Sequence, residues 1–187
     1  MSTERLVLKG ITEIVGSEKL GLILLTDEAE RRQLSIVCDR HMMQQIVARM
    51  EHIPIADRLL PEVLWQVVKT HCSGQMELLI NGVNQGQYTA LLYCTENFDS
   101  WLLRASDAIL LSLISGMPLY INTDLMDRQS VPYKKGAVGV SLPLNAITSE
   151  MIEAAMQKAI SDENYEFASQ LRDELQRRKG KKGGSAT

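Results

Sequence analysis

At 187 residues and 45% hydrophobic content the chain has room for one ordinary domain and an appendage, with a core left to Leu, Ile, Val and Met because aromatics make up only 5%. A net charge of −3 is too small to name an acidic or basic partner, and three widely spaced cysteines (Cys38, Cys72, Cys94) without a CxxC argue against a disulfide framework or a zinc site. Met1-Ser2-Thr3-Glu4-Arg5 lacks the apolar run of a secretory leader, and no apolar segment approaches the roughly twenty residues of a membrane span, so a cytoplasmic location is expected.

Residues 4–14 alternate loosely through Leu6, Leu8, Ile11 and Ile14 and predict an opening strand. Gly21 to Thr26 is apolar enough for a central strand, and the polar turn Asp27-Glu28-Ala29-Glu30 returns it as a hairpin over Arg31 to Cys38. Asp39 is placed to cap a helix over residues 40–49, with Met42, Met43, Ile46, Val47 and Met50 inward. Pro61 opens a second helix to about His71, whose inward face is expected to be Val63, Leu64, Val67 and Val68. Strands follow around Met76–Ile80 and Tyr88–Cys94, joined by a turn carrying Asn81-Gly82 and Gln85-Gly86, and then a short strand over Ser100–Leu103.

The stretch from Arg104 to Ile121 holds the clearest structural statement. Ser106 is the expected N-cap and Asp107 the first helical residue, where its charge complements the helix dipole. Ala108 to Ile114 is apolar on all sides and predicts a buried helix. Gly116 ends it, Pro118 forbids its resumption, and Leu119-Tyr120-Ile121 returns as a strand. The order strand–turn–strand–helix with an acidic residue at the helix mouth occurs twice, at 22–49 and at 88–115. Either a ββα unit is duplicated, or an α+β chain simply contains two such units. Strands arranged in hairpins predict an α+β fold with a mixed, largely antiparallel sheet and packed helices.

No Walker loop, GxSxG, HExxH or Rossmann fingerprint is present, and His41, His52 and His71 have no ligand spacing with one another. The His71-Cys72 pair has no distant partner and reads as a helix end. Arg104 and Asp107, one helical turn apart at a buried helix mouth, have the chemistry of a phosphate clamp and a metal ligand; Asp39, Arg40 and Glu62 would join them if the two units face each other. The alternative is an ion pair that fixes the helix entrance, and residue chemistry alone favours it.

Arg104-Ala105-Ser106-Asp107-Ala108-Ile109-Leu110-Leu111, with Gly116-Met117-Pro118-Leu119-Tyr120-Ile121 after it, resembles the hallmark of the bifunctional nuclease domain family. The surrounding order agrees over about 120 residues. The resemblance implies phosphodiester cleavage in DNA and RNA, with Arg104, Asp107 and Glu62 as catalytic candidates. Hydrolysis of a phosphodiester usually uses a divalent cation such as magnesium held by carboxylates, and Asp107, Glu62 and Asp39 are the candidate ligands. The chain departs from that pattern where the family has proline and this sequence Ala105. It departs again where the family has Thr-His-Asp-Leu and this sequence Leu60-Pro61-Glu62-Val63, without the histidine.

From Thr148 the pattern changes to two helices, the first striped by Ile152, Ala155, Met156, Ala159 and Ile160. The run Ala159–Leu175, with Tyr165-Glu166-Phe167-Ala168-Ser169-Gln170-Leu171-Arg172-Asp173 at its centre, resembles the UVR motif shared by UvrB and UvrC. That resemblance implies a protein–protein contact through Tyr165, Ala168, Leu171, Arg172 and Leu175, and a homo-oligomer, a dimer above all. The basic residues Arg177, Arg178, Lys179, Lys181 and Lys182 are candidates for non-specific phosphate contact, in a tail expected to be disordered from residue 180. The domains expected are therefore 1–145, 146–179 and the tail 180–187. The function expected is a nuclease with an association hairpin; the alternative is a non-catalytic regulatory or adaptor protein that binds a partner through the hairpin.

Overall fold

The computed structural model describes residues 2–14, 17–71, 74–84, 86–135, 149–161, 163–165, 168–169, 171–173 and 175–176. Its centre is an eight-stranded sheet made from β1 (Thr3–Ile14), β2 (Ser17–Asp27), β3 (Arg32–Asp39), β4 (Met76–Asn84), β5 (Gln87–Cys94), β6 (Ser100–Arg104), β7 (Leu119–Asn122) and the two-residue β8 (Val131–Pro132). Their order across the sheet is β6-β5-β4-β7-β1-β2-β3-β8. Among the described residues only β4 and β7 run parallel, so the sheet is mixed and largely antiparallel, as the hairpin pattern predicts. β1–β2–β3 and β4–β5–β6 are two antiparallel meanders, and the last strand of each leads directly into a helix. β7 lies between them and joins them into one sheet.

Those two helices are α1 (Arg40–Met50) and α3 (Ala105–Ser115). Between them in sequence come a 3-10 turn, Pro54–Arg58, and α2 (Leu60–His71); α4 (Thr123–Gln129) follows β7. Alternation puts Ile23, Leu25, Leu34, Ile36, Leu78, Ile80, Ala90, Leu119 and Ile121 on one sheet face, where they share a single core with Ile46 of α1, Ala108 and Ile109 of α3 and Met126 of α4. Gly21 lets α1 come close to β2, because a Cβ there would lie 2.8 Å from the Met43 sulfur. Gly116 ends α3 at φ 73°, a conformation that glycine adopts without strain, and its N–H donates to the carbonyl of Ser112.

Three expectations need correction. Asn81 and Gly82 belong to β4, which bulges there, and the turn lies beyond Asn84. Helix α3 begins at Ala105, and its N-cap is Arg104; Ser106 is a buried residue of the first turn and caps nothing. Strand β6 runs into the helix without a break, which leaves no free cap position at Ser106. Helix α2 is the third case. It lies outermost, packs on α3 and the 3-10 turn, and buries no residue completely. Trp65 is the side chain that reaches the core, while Val63, Leu64 and Val67 face solvent.

In the C-terminal part, α5 (Ser149–Ser161) is followed by helical residues from Tyr165 to Gln176 among those described. Ile152 and Ala159 close on Ala168, Leu171 and Leu175 in a second small core, which also touches Val37 on the other face of the sheet from α1 and α3. No helix among the described residues is long and apolar enough to cross a membrane.

Candidate functional site

The two meanders deliver their helices so that the mouths of α1 and α3 meet. Asp39 caps α1, its Oδ1 accepting from the Met42 amide at 2.8 Å, and Arg104 occupies the same position ahead of α3. Arg104 Nε and Nη2 donate to Oδ2 and Oδ1 of Asp107 at 2.6 and 3.0 Å, a bidentate fork. Its remaining nitrogen, Nη1, stands 3.6 Å from Asp39 Oδ2. Those partners push the guanidinium above its ordinary value, first through the Asp107 hydrogen bond and then, against partial burial, through the charges of Asp107 and Asp39. Arg104 is cationic at every pH the fold survives.

The first-turn amides of an α-helix lack an intrahelical partner, and at α3 the N-cap side chain supplies none. The mouth of α3 lines a cleft of about 460 Å³ through Arg104, Ala105 and Ser106, together with Asp39, Gly86, Gln87, Tyr88, Thr89 and the apolar side chains of β3 and β6, a volume within the range of small-molecule sites. Cys38 lines it too, but burial first and the Asp39 charge second push its thiol up to about 11, so it is no nucleophile at neutral pH. The Tyr88 hydroxyl donates to Gln129 Oε1 at 3.2 Å, and burial holds it protonated.

Arg104, Asp107 and Asp39 are thus brought together as one cluster, with Arg40 opening α1 beside them. Glu62 is not part of it. It stands on α2 in a separate depression shared with His52, Asp57, Leu113 and Ile114, at the opposite end of α3 and about 13 Å along that helix from Arg104. There its Oε1 lies 2.7 Å from Arg49 Nε and 2.6 Å from Arg49 Nη2, with the two side chains only 12% and 7% exposed. A divalent cation fits neither place as a resident: among the described residues no three His, Cys, Asp or Glu side chains stand together, and Asp39 and Asp107 already face a guanidinium.

On the hairpin, Ala168, Leu171 and Leu175 are consumed by its own core, which leaves Tyr165 and Arg172 exposed. Arg172 contacts Asp173 at 3.3 Å and Ser169 Oγ at 3.2 Å. Arg177, Arg178, Lys179, Lys181, Lys182 and Cys72 lie outside the described residues.

The bifunctional nuclease domain matches residues 23–134, from β2 through β8, and so spans both helix mouths and the cleft between them. The chain belongs to the bifunctional nuclease domain family. A second match, the UvrB/uvrC motif, covers residues 144–179 and with them the hairpin. No curated protein sequence matches the chain. Within the family match, the α1 mouth was the element that sequence reasoning undervalued. Asp39 was legible as a cap, but its contact with Arg104 depends on two strands, β3 and β6, that never pair.

Proposed function

We propose that this member of the bifunctional nuclease domain family hydrolyses phosphodiester bonds of DNA or RNA at the Arg104 cleft. The observation that carries the reading is the mouth of α3, an uncapped buried helix opening beside a guanidinium in a cleft with room for a nucleotide. A phosphate seated there accepts from Arg104 and from the free amides of the first turn, and both counter the negative charge that builds on its oxygens as water attacks. Asp107 orients the guanidinium, and the Asp39 carboxylate takes a proton from the attacking water. The new P–O bond forms as the bond to the leaving sugar oxygen breaks, and that oxygen takes a proton from solvent. The UvrB/uvrC motif supports association with a protein partner through the exposed Tyr165 and Arg172 of the hairpin.

The test is incubation of the pure full chain with single- and double-stranded DNA and RNA, with and without a chelator. Arg104→Ala should lower cleavage about 100-fold, the usual cost of one electrostatic contact to a developing charge. Equal cleavage by wild type and Arg104→Ala refutes the site. No cleavage by either refutes the activity and leaves an adaptor that presents the hairpin.

A further inference from the structure

The depression that holds Glu62 is a cavity of about 520 Å³, a volume within the range of small-molecule sites. It lies where α1 and α3 end against the 3-10 turn and the start of α2. Leu8, Met50, Ile53, Leu113 and Ile114 give it apolar lining, of which Met50, Ile53 and Leu113 are 39%, 41% and 37% exposed. Its charged lining is Arg49, Asp57 and Glu62. Glu62 holds the informative atom. Its Oε1 is committed to Arg49, but Oε2 is buried and has no hydrogen-bond partner among the described residues. A carboxylate oxygen taken out of water without a donor is destabilising, and a donor that reaches it recovers the loss. His52, also in the lining, follows the C-cap of α1 at φ 53°, a left-handed conformation that glycine takes more easily. Backbone strain of this kind gathers where ligands are held.

We infer that this cavity binds a small organic cation, an amine carried on an apolar body. An ammonium has three donors and no acceptor, which is the complement of the free Oε2. The charged lining holds one positive and two negative groups, a surplus of one negative charge. Arg49 is already engaged by Glu62 Oε1 and by both oxygens of Gln45, so the charge left for a ligand is carboxylate. That surplus repels phosphates and carboxylates and attracts an amine. The half-exposed apolar side chains supply the other part of the affinity, because a hydrocarbon body covers them from water. An inorganic cation does not fit, since among the described residues no three carboxylate, histidine or cysteine side chains stand together. The cavity is at the far end of α3 from Arg104, and the inference does not rest on phosphodiester cleavage.

NMR titration of the nitrogen-15-labelled full chain tests this with butylamine, phenethylamine and tryptamine, each beside a carboxylic acid of matching body. The amines should shift the amides of Arg49 to Ile53, Asp57 and Leu113. Affinity should rise with the size of the body, to a Kd on the order of 1 mM for tryptamine. The acids should bind at least about 10-fold more weakly. Leu113→Trp fills the cavity from a helix position that solvent already reaches, and should abolish the shifts with the circular dichroism spectrum unchanged. Asp57→Asn alters an exposed residue outside the buried ion pair, and should weaken amine binding about 3-fold. No shift with any of the three amines overturns the proposal. Acids that bind as well as the amines overturn it too, as do shifts that survive Leu113→Trp or centre on Arg104.

Discussion

Replacing Glu62 by Gln should cost stability and leave chemistry alone. The side chain keeps its shape but loses the charge that balances Arg49, whose side chain is 7% exposed and whose Nη2 lies 2.6 Å from the carboxylate. Removing one partner of a buried ion pair costs about 3–5 kcal/mol, because the other charge stays desolvated. Arg49 Nη1 retains bonds to the carbonyl and side-chain oxygens of Gln45 at 2.8 and 2.7 Å, so the lower end, about 3 kcal/mol, applies. For a chain of this size that lowers Tm by about 6–12 °C. Removing both charges with Arg49→Met/Glu62→Leu should restore all but about 1 kcal/mol, since well-packed apolar substitutes for a buried pair are often neutral. Urea titrations of the wild type, Arg49→Met, Glu62→Leu and the double close the cycle, with Glu62→Gln measured beside them. A Glu62→Gln variant within about 0.5 kcal/mol of wild type, the ordinary range of a surface change, would refute the structural reading. A loss of cleavage at unchanged stability would return Glu62 to the catalytic candidates.

Asp39→Ala should cost about 1 kcal/mol through loss of the α1 cap, whereas Asp39→Asn keeps the cap and should be near neutral in stability; chemical denaturation that cannot tell the two apart would show that the cap is idle. Gly116→Ala places a Cβ at φ 73° in open space, so its cost of about 1 kcal/mol is backbone strain alone and should appear as faster unfolding without any loss of packing. Burial pushes the Asp27 carboxyl up, but the amides of Arg32 and Arg31 and their charges outweigh it and hold the group below its ordinary 3.8. A carboxyl depressed in the folded state stabilises above its unfolded value and loses that contribution as pH falls through its folded one, so Asp27→Asn should flatten the stability curve below about pH 4. The Cys38 thiol, pushed up to about 11 by burial and by Asp39, should resist alkylation at pH 8 until the chain unfolds; rapid native labelling of Cys38 would show that the cleft is wetter than the structure has it.

Hairpins, both inner helices and the Gly116 ending were legible because each is written in local chemistry: alternation, a capping carboxylate, a glycine where φ turns positive. Helix α2 was legible as a helix but its orientation was not. Periodicity locates a stripe and says nothing of what covers it, and here Trp65 carries the packing that Val63, Leu64 and Val67 were expected to supply. Ser106 misled for a related reason. A serine before an aspartate has the form of a cap, yet strand β6 extends to Arg104; aligning the two repeated units on their helices would have set Arg104 opposite Asp39. Helix α4, seven residues long, is too short for a period to show. The cluster of Arg104 with Asp107 could be read from an i, i+3 spacing, whereas its contact with Asp39, 65 positions earlier, arises only when the meanders share one sheet.

The placement of β7 has a consequence for how the chain is made. Residues 3–6 pair with residues 119–122, so one edge of β1 waits during synthesis for more than a hundred residues before its neighbour exists. The first meander and α1 can assemble while synthesis proceeds, since their contacts are near in sequence. Until β7 arrives, however, Arg5, Leu6 and the strand around them present unpaired amides and carbonyls to any passing chain. Joining the two meanders is thus the non-local step, and non-local pairing slows folding because the long loop must close before its contacts reward it. An unpaired strand edge is a template for pairing with other chains, and covering residues 3–6 until β7 arrives would remove it.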